Sequence, residues 1–452
     1  QQQALQEILS ALNRASYVPF LLHGVTGSGK TEVYLQAIDK CLSLGRTALV
    51  LVPEISLTPK LVHRFRARFG DCIAGLHGAR SDGERYDEWR RIRRGEAPIV
   101  IGARSAIFAP LEKIGIIIVD EEHEASFKQS DGLRYNARDL ALVRGRDEGA
   151  AVVMGSATPL VTSIHAAKQG RLSLLELPER VAGRPMPSIS PVTARLTAES
   201  PISAELISVI KENLHRGEQS IIFLNRRGFS TLLSCPSCGE SLSCPNCSVS
   251  LTYHRGRTES RCHYCDYNVP TPCICPACGE PEMKELGAGT ERIEAELKSI
   301  FPDARIARMD SDTTAGKDGH SRILSKVASG EIDILVGTQM IAKGHDFPGV
   351  TLVGVIQAEG SLYLPDFRAS ERTFQLISQV IGRAGRGEIP GRVILQTANP
   401  GHHAVSHAIN HDFSGFCQEE MTFRNELGYP PFGFLAAIHR SEEHTSELQS
   451  RI

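Results

Sequence analysis

Gly24-Val25-Thr26-Gly27-Ser28-Gly29-Lys30-Thr31 fits the spacing G-x-x-x-x-G-K-[ST]. Three glycines let the backbone curl so that successive N–H groups face one point, at the start of a helix whose dipole favours negative charge. That chemistry suits the phosphates of a nucleotide such as ATP. Lys30 would reach the terminal phosphates, and the Thr31 hydroxyl would bind Mg²⁺. The context agrees, with the apolar Phe20, Leu21 and Leu22 before the loop and a helical stretch from Glu32 to Asp39 after it.

A second acidic constellation lies 90 positions beyond Lys30, where Ile116-Ile117-Ile118-Val119 runs into Asp120-Glu121-Glu122-His123. Carboxylates at the carboxyl end of an apolar strand are where a Mg²⁺-holding aspartate belongs, so Asp120 takes that role. Glu121 is placed to polarise an attacking water. Near the other end of the chain, a helix over Phe374 to Val380 delivers Gln379, followed by Gly382-Arg383-Ala384-Gly385-Arg386. Two arginines three apart reach one side of a cleft, where they neutralise charge growing on a γ-phosphate. Gln379 is placed with them on the nucleotide.

Twelve cysteines are present, and nine fall between Cys235 and Cys278. Four C-x-x-C pairs stand out: Cys235/Cys238, Cys244/Cys247, Cys262/Cys265 and Cys275/Cys278. Without a secretory signal such clustering points to metal rather than disulfides. Zinc takes four thiolates in a closed site, so eight make two structural Zn²⁺ sites. Cys273 could replace Cys275, but only Cys275 keeps the two-residue spacing to Cys278. His254 and His263 are taken as non-ligands because the thiolates suffice. Spacing leaves open which pairs share an ion.

Phe127, Lys128, Arg134, Tyr135 and Arg138 interleave rings and cations. Rings that stack on bases, beside cations on phosphates, hold single strands without sequence preference. The alternative is that Phe127 and Tyr135 pack their own loop. A dense arginine run from Arg64 to Arg94 reads as solvated helix faces.

The elements that must position these groups follow from periodicity. Ala4, Leu5, Ile8, Leu9 and Leu12 mark an opening amphipathic helix. Continuous apolar runs at 47–52, 99–102, 116–119 and 151–154 suit strands buried on both faces of a parallel sheet. Thr58 would cap a helix that begins at Pro59. Pro178 to Pro201 holds five prolines and reads as an extended connection. Strands at 220–224, 304–310, 332–336 and 350–356 alternate with helices, so a second sheet follows. The expected fold is α/β, two doubly wound parallel-sheet lobes, with a small Cys-rich zinc-binding insertion in the second.

At 452 residues, a formal net charge of −2 and 41% hydrophobic content, the chain is ordinary for a globular protein of about three domains. No apolar run approaches the roughly 18 residues a membrane span needs. The charge neither favours nor excludes nucleic acid. The organisation expected is residues 1–180 as an ATP-binding lobe and 181–232 as linker and start of a second lobe. The zinc insertion is 233–280, the rest of lobe two 281–420, and a further short stretch 421–439. Residues 440–452 break an apolar strand expected over 434–438 and resemble a translated sequencing adapter, so an artefactual tail is expected.

GVTGSGKT, DEEH and GSATP (155–159) resemble the first-lobe motifs of superfamily 2 helicases. Thr31-Glu32-Val33-Tyr34, Leu51-Val52-Pro53-Glu54-Ile55-Ser56-Leu57-Thr58 and Gly102-Ala103-Arg104-Ser105-Ala106 narrow the resemblance to the PriA family, the primosomal replication-restart helicases of bacteria. GTQMIAKGHDF (337–347) and QVIGRAGRG (379–387) match that family's second-lobe motifs. The resemblance covers Gln1 to His439. It implies lobes of the RecA type, with 421–439 and its Pro430-Pro431-Phe432 as the start of a truncated C-terminal domain, in a fragment without the family's N-terminal DNA-binding region and most of its C-terminal domain.

The resemblance further implies an ATP-dependent helicase that translocates 3′ to 5′ on single-stranded and forked DNA and restarts replication at stalled or repaired forks. Primosome and single-strand-binding proteins are the implied partners, the bacterial cytoplasm and nucleoid the implied location, and no membrane is involved. It implies nested zinc pairing, with Cys235, Cys238, Cys275 and Cys278 on one ion and Cys244, Cys247, Cys262 and Cys265 on the other. Gln1 falls where the family has an adenine-reading glutamine, and the 122–142 segment where it has an aromatic-rich DNA-coupling loop, with Leu133 in place of a larger ring. Two other functions fit parts of the pattern: a DNA translocase ATPase without strand separation, and a zinc-dependent primosome scaffold.

Overall fold

The computed structural model describes the chain except residues 54–58, 77, 79–80, 131, 184, 194–200, 226–232, 236–237, 239–241, 247–250, 255–258, 263–266, 271, 273, 282–283, 286–289, 311–312, 314–318, 343–346, 348, 363, 365, 386–388 and 437–452. Thr58, Cys247, His263, Cys265, Cys273, Arg386 and the 440–452 tail therefore lie outside the described residues.

Seven strands build the first sheet: β1 (Val18–Gly24), β2 (Thr47–Leu51), β3 (Ile73–Leu76), β4 (Ile99–Gly102), β5 (Ile114–Asp120), β6 (Ala151–Ser156) and β7 (Ser173–Leu177). Their spatial order is β3-β4-β2-β5-β6-β1-β7, and every pairing is parallel. β2, β4, β5 and β6 are the runs of Val, Ile and Leu that periodicity singled out, buried along their length because helices cover both faces. The opening helix Gln2–Arg14 packs Ile8, Ala11 and Leu12 into the core on one side. On the other, Phe127, Ala137 and Ala141 join Leu49, Ile117 and Val152.

Sequence periodicity missed β3 and β7. β3 is four residues containing Gly75, and β7 is half exposed at the opposite edge, so neither shows a long apolar run. Ile99–Gly102 is accordingly the fourth strand in chain order.

The second sheet takes β8 (Ser188–Thr193), β9 (Gln219–Leu224), β15 (Ile306–Met309), β16 (Ile334–Gly337), β17 (Val350–Ile356) and β18 (Arg392–Thr397). It is also parallel throughout, in the order β15-β16-β9-β17-β18-β8. The proline-rich connection is thus more than a linker. Ser188–Thr193 is the sheet's edge strand, where Pro191 is tolerated because one side of an edge strand needs no ladder donor.

Between β9 and β15 the chain makes two small antiparallel sheets. β10 (Leu233–Ser234) pairs with β14 (Lys284–Glu285), and β11 (Thr252–His254), β12 (Glu259–Arg261) and β13 (Asn268–Pro270) form the other. At the C-terminal end the expected strand over 434–438 is not formed in its described part. Residues 434–436 pair with nothing described, and Phe434 and Leu435 are exposed. No described helix is long and apolar enough to cross a membrane.

Candidate nucleotide, metal and nucleic-acid sites

β1 ends at Gly24, where a Cβ would lie 2.5 Å from the Ser28 hydroxyl oxygen, so only glycine lets the loop close this tightly. Gly27 and Gly29 have φ of 84° and 87°, the left-handed region that the curl requires. Gly29 caps the helix Lys30–Ser43. Lys30 Nζ donates to the Gly24 carbonyl at 2.6 Å, and Gln1 Nε2 donates to the Ser28 carbonyl at 2.6 Å. The Ser28 hydroxyl is buried without a hydrogen-bond partner among the described residues, and so is Oε2 of Glu121. The orphaned Ser28 hydroxyl, a free donor in a glycine-lined cradle, fits a bound polyphosphate, whereas the Glu121 oxygen is an acceptor and suits a water.

Asp120 closes β5, and the Tyr34 hydroxyl donates to its Oδ1 at 3.0 Å. Burial first, and then the neighbouring Glu121 charge, push the Asp120 carboxyl up to about 6, while Lys30 opposes the rise. Glu121 has φ of 51°, a left-handed conformation that costs a non-glycine residue of order 1–3 kcal/mol. The strain turns the chain sharply, and Glu122 N–H then donates to the Gly155 carbonyl at 3.0 Å.

Helix Ala369–Ile381 of the second lobe reaches this edge of the first. Glu371, Gln375 and Gln379 recur every four residues and so share one face. Glu371 Oε1 accepts from Val161 N–H at 2.7 Å, and Gln375 Nε2 donates to the Thr158 carbonyl at 3.2 Å. The Gln379 amide lies 2.6 Å from Nε2 of His123, whose Nδ1 lies 2.6 Å from the Ser156 hydroxyl. A Cβ on Gly382 would sit 3.0 Å from Thr26, so the end of the helix touches the tip of the phosphate loop. Arg383 is carried in with it. Burial lowers its guanidinium to about 10, and the Glu121 carboxylate partly offsets that. Lys30, Asp120, Glu121, Gln379 and Arg383 therefore converge at one interlobe edge. Glu371 and Gln375 were missed from the sequence, although a polar residue every fourth position on an apolar helix was the available signal.

The 124–138 segment differs from expectation at its first ring. Phe127 is 2% exposed and packs in the lobe core, so it does not face a base. Its N-terminal neighbours turn in a short 3-10 helix that points the ring inward. Arg138 is also engaged, 3.5 Å from Glu122 and 3.0 Å from Asp139. Lys128 and Arg134 are exposed, and Leu133 at the tip is 76% exposed. Tyr135 is half-buried, edge-on to Phe108 at 5.0 Å between centroids.

The Sγ atoms of Cys235, Cys238, Cys275 and Cys278 all lie within 4.8 Å of one another. Four thiolates about 2.3 Å from a tetrahedral ion are about 3.8 Å apart, so the quartet fits one zinc. Cys244 and Cys262 are buried in a separate cluster with Leu251.

Two parallel-sheet lobes, with the phosphate loop on one facing a helix end of the other, define a RecA-type helicase core. Three families match: the DEAD/DEAH box helicase at residues 1–166, the PriA DNA helicase Cys-rich region domain at 244–270 and the helicase conserved C-terminal domain at 286–388. The Replication restart protein PriA of Bacillus subtilis (strain 168) is 49% identical over 451 residues, covering 99% of this chain and 56% of the relative. That of Rickettsia conorii is 40% identical over 437 residues, 96% of this chain and 67% of the relative. The chain belongs to the PriA family of replication restart proteins. It spans 56–59% of the length of the first relatives it matches. Solved structures share the fold: RecG bound to a three-way DNA junction has a TM-score of 0.55 at 20% identity, covering 93% of this chain and 46% of that one. Mss116p bound to ssRNA and AMP-PNP has a TM-score of 0.53 at 15% identity, covering 96% and 73%.

Proposed function

We propose that this chain is the ATP-driven motor of a 3′–5′ DNA helicase that acts at stalled or repaired forks and supports primosome assembly in the bacterial cytoplasm. The observation that carries the reading is Arg383, brought by Gly382 against the phosphate loop and within the field of Glu121. A nucleotide would be held by residues 24–31, with Gln1 at its base end. Asp120 and Thr31 would hold Mg²⁺, whose charge screens the phosphates. Glu121 would orient the attacking water, and Arg383, Arg386 and Gln379 would act from the second lobe. An active site split between lobes makes their closure depend on nucleotide, which is how hydrolysis becomes motion. Lys128, Arg134 and Tyr135 are the DNA contacts this reading keeps from the loop, while Phe127 and Arg138 support it from inside. Two structural zinc ions would be held by the described quartet and by Cys244, Cys247, Cys262 and Cys265.

The test is DNA-stimulated ATP hydrolysis together with strand displacement on forked DNA of defined polarity. Stimulated hydrolysis with displacement from the 3′ side supports the reading. Hydrolysis without displacement reassigns the chain to a translocase, and neither activity from a folded, zinc-loaded chain sinks it.

A further inference from the structure

The arginine run at 64–94 reads as a solvated surface in sequence, but the structure gives part of it a shape. Helix Asp82–Arg93 starts from a capping box between Ser81 and Glu84 and carries the sole tryptophan of the chain. Tyr86 and Trp89 on this helix are 60% and 36% exposed, and Phe108 across from them is 55% exposed. Together with Leu76, Arg85 and Ser105 they line a cavity of about 500 Å³. Three large exposed rings thus gather around one open groove instead of standing singly on the surface.

The charges point the same way. The Arg90 guanidinium lies 5.7 Å from the Tyr86 ring centre, and that of Arg93 lies 5.4 Å from the Trp89 ring centre. Neither arginine is among the residues that line the groove, whereas both rings are. No ion pair joins Arg90 or Arg93 to a described carboxylate. Asp82 is the carboxylate among the lining residues, and Arg85 pairs with it at 3.5 Å. The groove also has a position that matters. Leu76 ends β3 and Ser105 follows β4, so it opens at the carboxyl edge of the sheet, the edge that carries the phosphate loop and Asp120. Its rim residue Phe108 touches Tyr135.

We propose that this groove is a second single-stranded DNA contact, in which one or two unpaired bases stack on Tyr86, Trp89 and Phe108 while Arg85, Arg90 and Arg93 attract the phosphates. The proposal rests on the DNA-motor reading and extends it, because it places a base-stacking platform outside the 124–138 loop. Stacking on aromatic rings is tolerant of sequence, as a motor that moves along DNA requires.

Trp89 is its own reporter. The wild-type chain is titrated with a fluorescein-labelled and an unlabelled dT oligomer at low salt, reading anisotropy and tryptophan emission respectively. The expected result is binding with quenching of Trp89. Trp89→Ala should bind at least fivefold more weakly, whereas Trp89→Phe, which keeps a ring, stays within twofold of wild type. Unfolding midpoints check that both variants are folded. An anisotropy rise with unchanged Trp89 emission and wild-type affinity of Trp89→Ala overturns the groove and leaves the DNA-motor reading intact. Absence of any binding overturns both. Quenching by an acidic peptide but not by the oligomer assigns the groove to a protein and overturns the proposal.

Discussion

The Tyr34 hydroxyl and the Asp120 carboxylate are bonded at 3.0 Å across 86 positions of sequence, and Gly155 is the residue that leaves room for the bond. A Cβ at Gly155 would lie 1.6 Å from the Tyr34 oxygen. Gly155→Ala should push the tyrosine off Asp120 and lower DNA-stimulated ATP hydrolysis more than tenfold. Tyr34→Phe, which loses one hydrogen bond of about 1 kcal/mol, should lower it only a few-fold. The double variant should recover part of the Gly155→Ala loss, and steady-state ATPase rates on the three variants measure the coupling. Simple additivity of the two effects would show that the clash does not reach Asp120.

Arg424 ties the helix Phe413–Glu426 into the interlobe helix. Its guanidinium is 2% exposed and donates to Glu371 at 2.8 Å and to Glu420 at 2.9 Å. Removing one member of a buried ionic network strands the other charges, at a cost of about 3–5 kcal/mol. Arg424→Ala should destabilise the fold by that amount in denaturant titration. Combining Arg424→Met with Glu371→Gln and Glu420→Gln should recover more than half of it, because no charge is then left buried alone.

His402 gives the chain an acid-sensitive cap. Its Nδ1 accepts from Ala404 N–H at 3.2 Å at the start of the helix His403–Ile409. Burial first, and the adjacent His403 second, lower its pKa from 6.5 to about 4, with Glu420 and Glu419 opposing. The unfolded chain therefore takes up a proton here that the folded chain refuses. Stability is fully present above pH 6.5 and falls as the pH drops towards 4. At about 1.4 kcal/mol per pH unit the loss is at most about 3 kcal/mol. His402→Asn keeps an acceptor at the cap and does not titrate, so its melting temperature should fall less steeply than that of wild type between pH 6.5 and 4.5. Parallel slopes would remove His402 from the account.

Zinc content separates the two thiolate clusters. Intact-mass measurement under native conditions should find two Zn²⁺ per chain. Replacing Cys238 and Cys275 with Ser should leave one, because those thiols are 3.4 Å apart in the same quartet. A count of one in the wild-type chain would eliminate the second site.

Much of the nucleotide site was legible because its chemistry is local. Gly24 to Thr31 are contiguous, and Asp120 follows an apolar strand that announces itself. What escaped is what depends on distant neighbours. Phe127 reads as an exposed ring beside Lys128, and only the packing of Leu49, Ile117 and Val152 around it shows that it is core. The left-handed turn at Glu121 has no sequence signature, since glycine would have signalled it and glutamate does not. Ser188–Thr193 reads as a linker because its partner β18 lies some 200 residues away. The arginine-rich helix 82–93 reads as solvated, and its rings form a groove only because β4 brings Phe108 opposite them.

The interruption of the second sheet also sets a schedule. β9 is flanked by β16 and β17, yet Leu224 precedes Ile334 by 110 positions, with both small sheets of the cysteine-rich segment between them. At synthesis rates of about 5–20 residues per second, β9 emerges roughly 5–20 s before either neighbour exists. The first sheet has a similar wait, since β1 lies between β6 and β7 and Gly24 precedes Ala151 by 127 positions, but all seven of its strands are made by Leu177. A ribosome that stalls within the cysteine-rich segment therefore holds a finished first lobe beside an apolar strand with both backbone edges open, and such edges recruit strands from other chains. Aggregation during translation, rather than loss of the finished motor, is then the first consequence of slowing synthesis through residues 225–333.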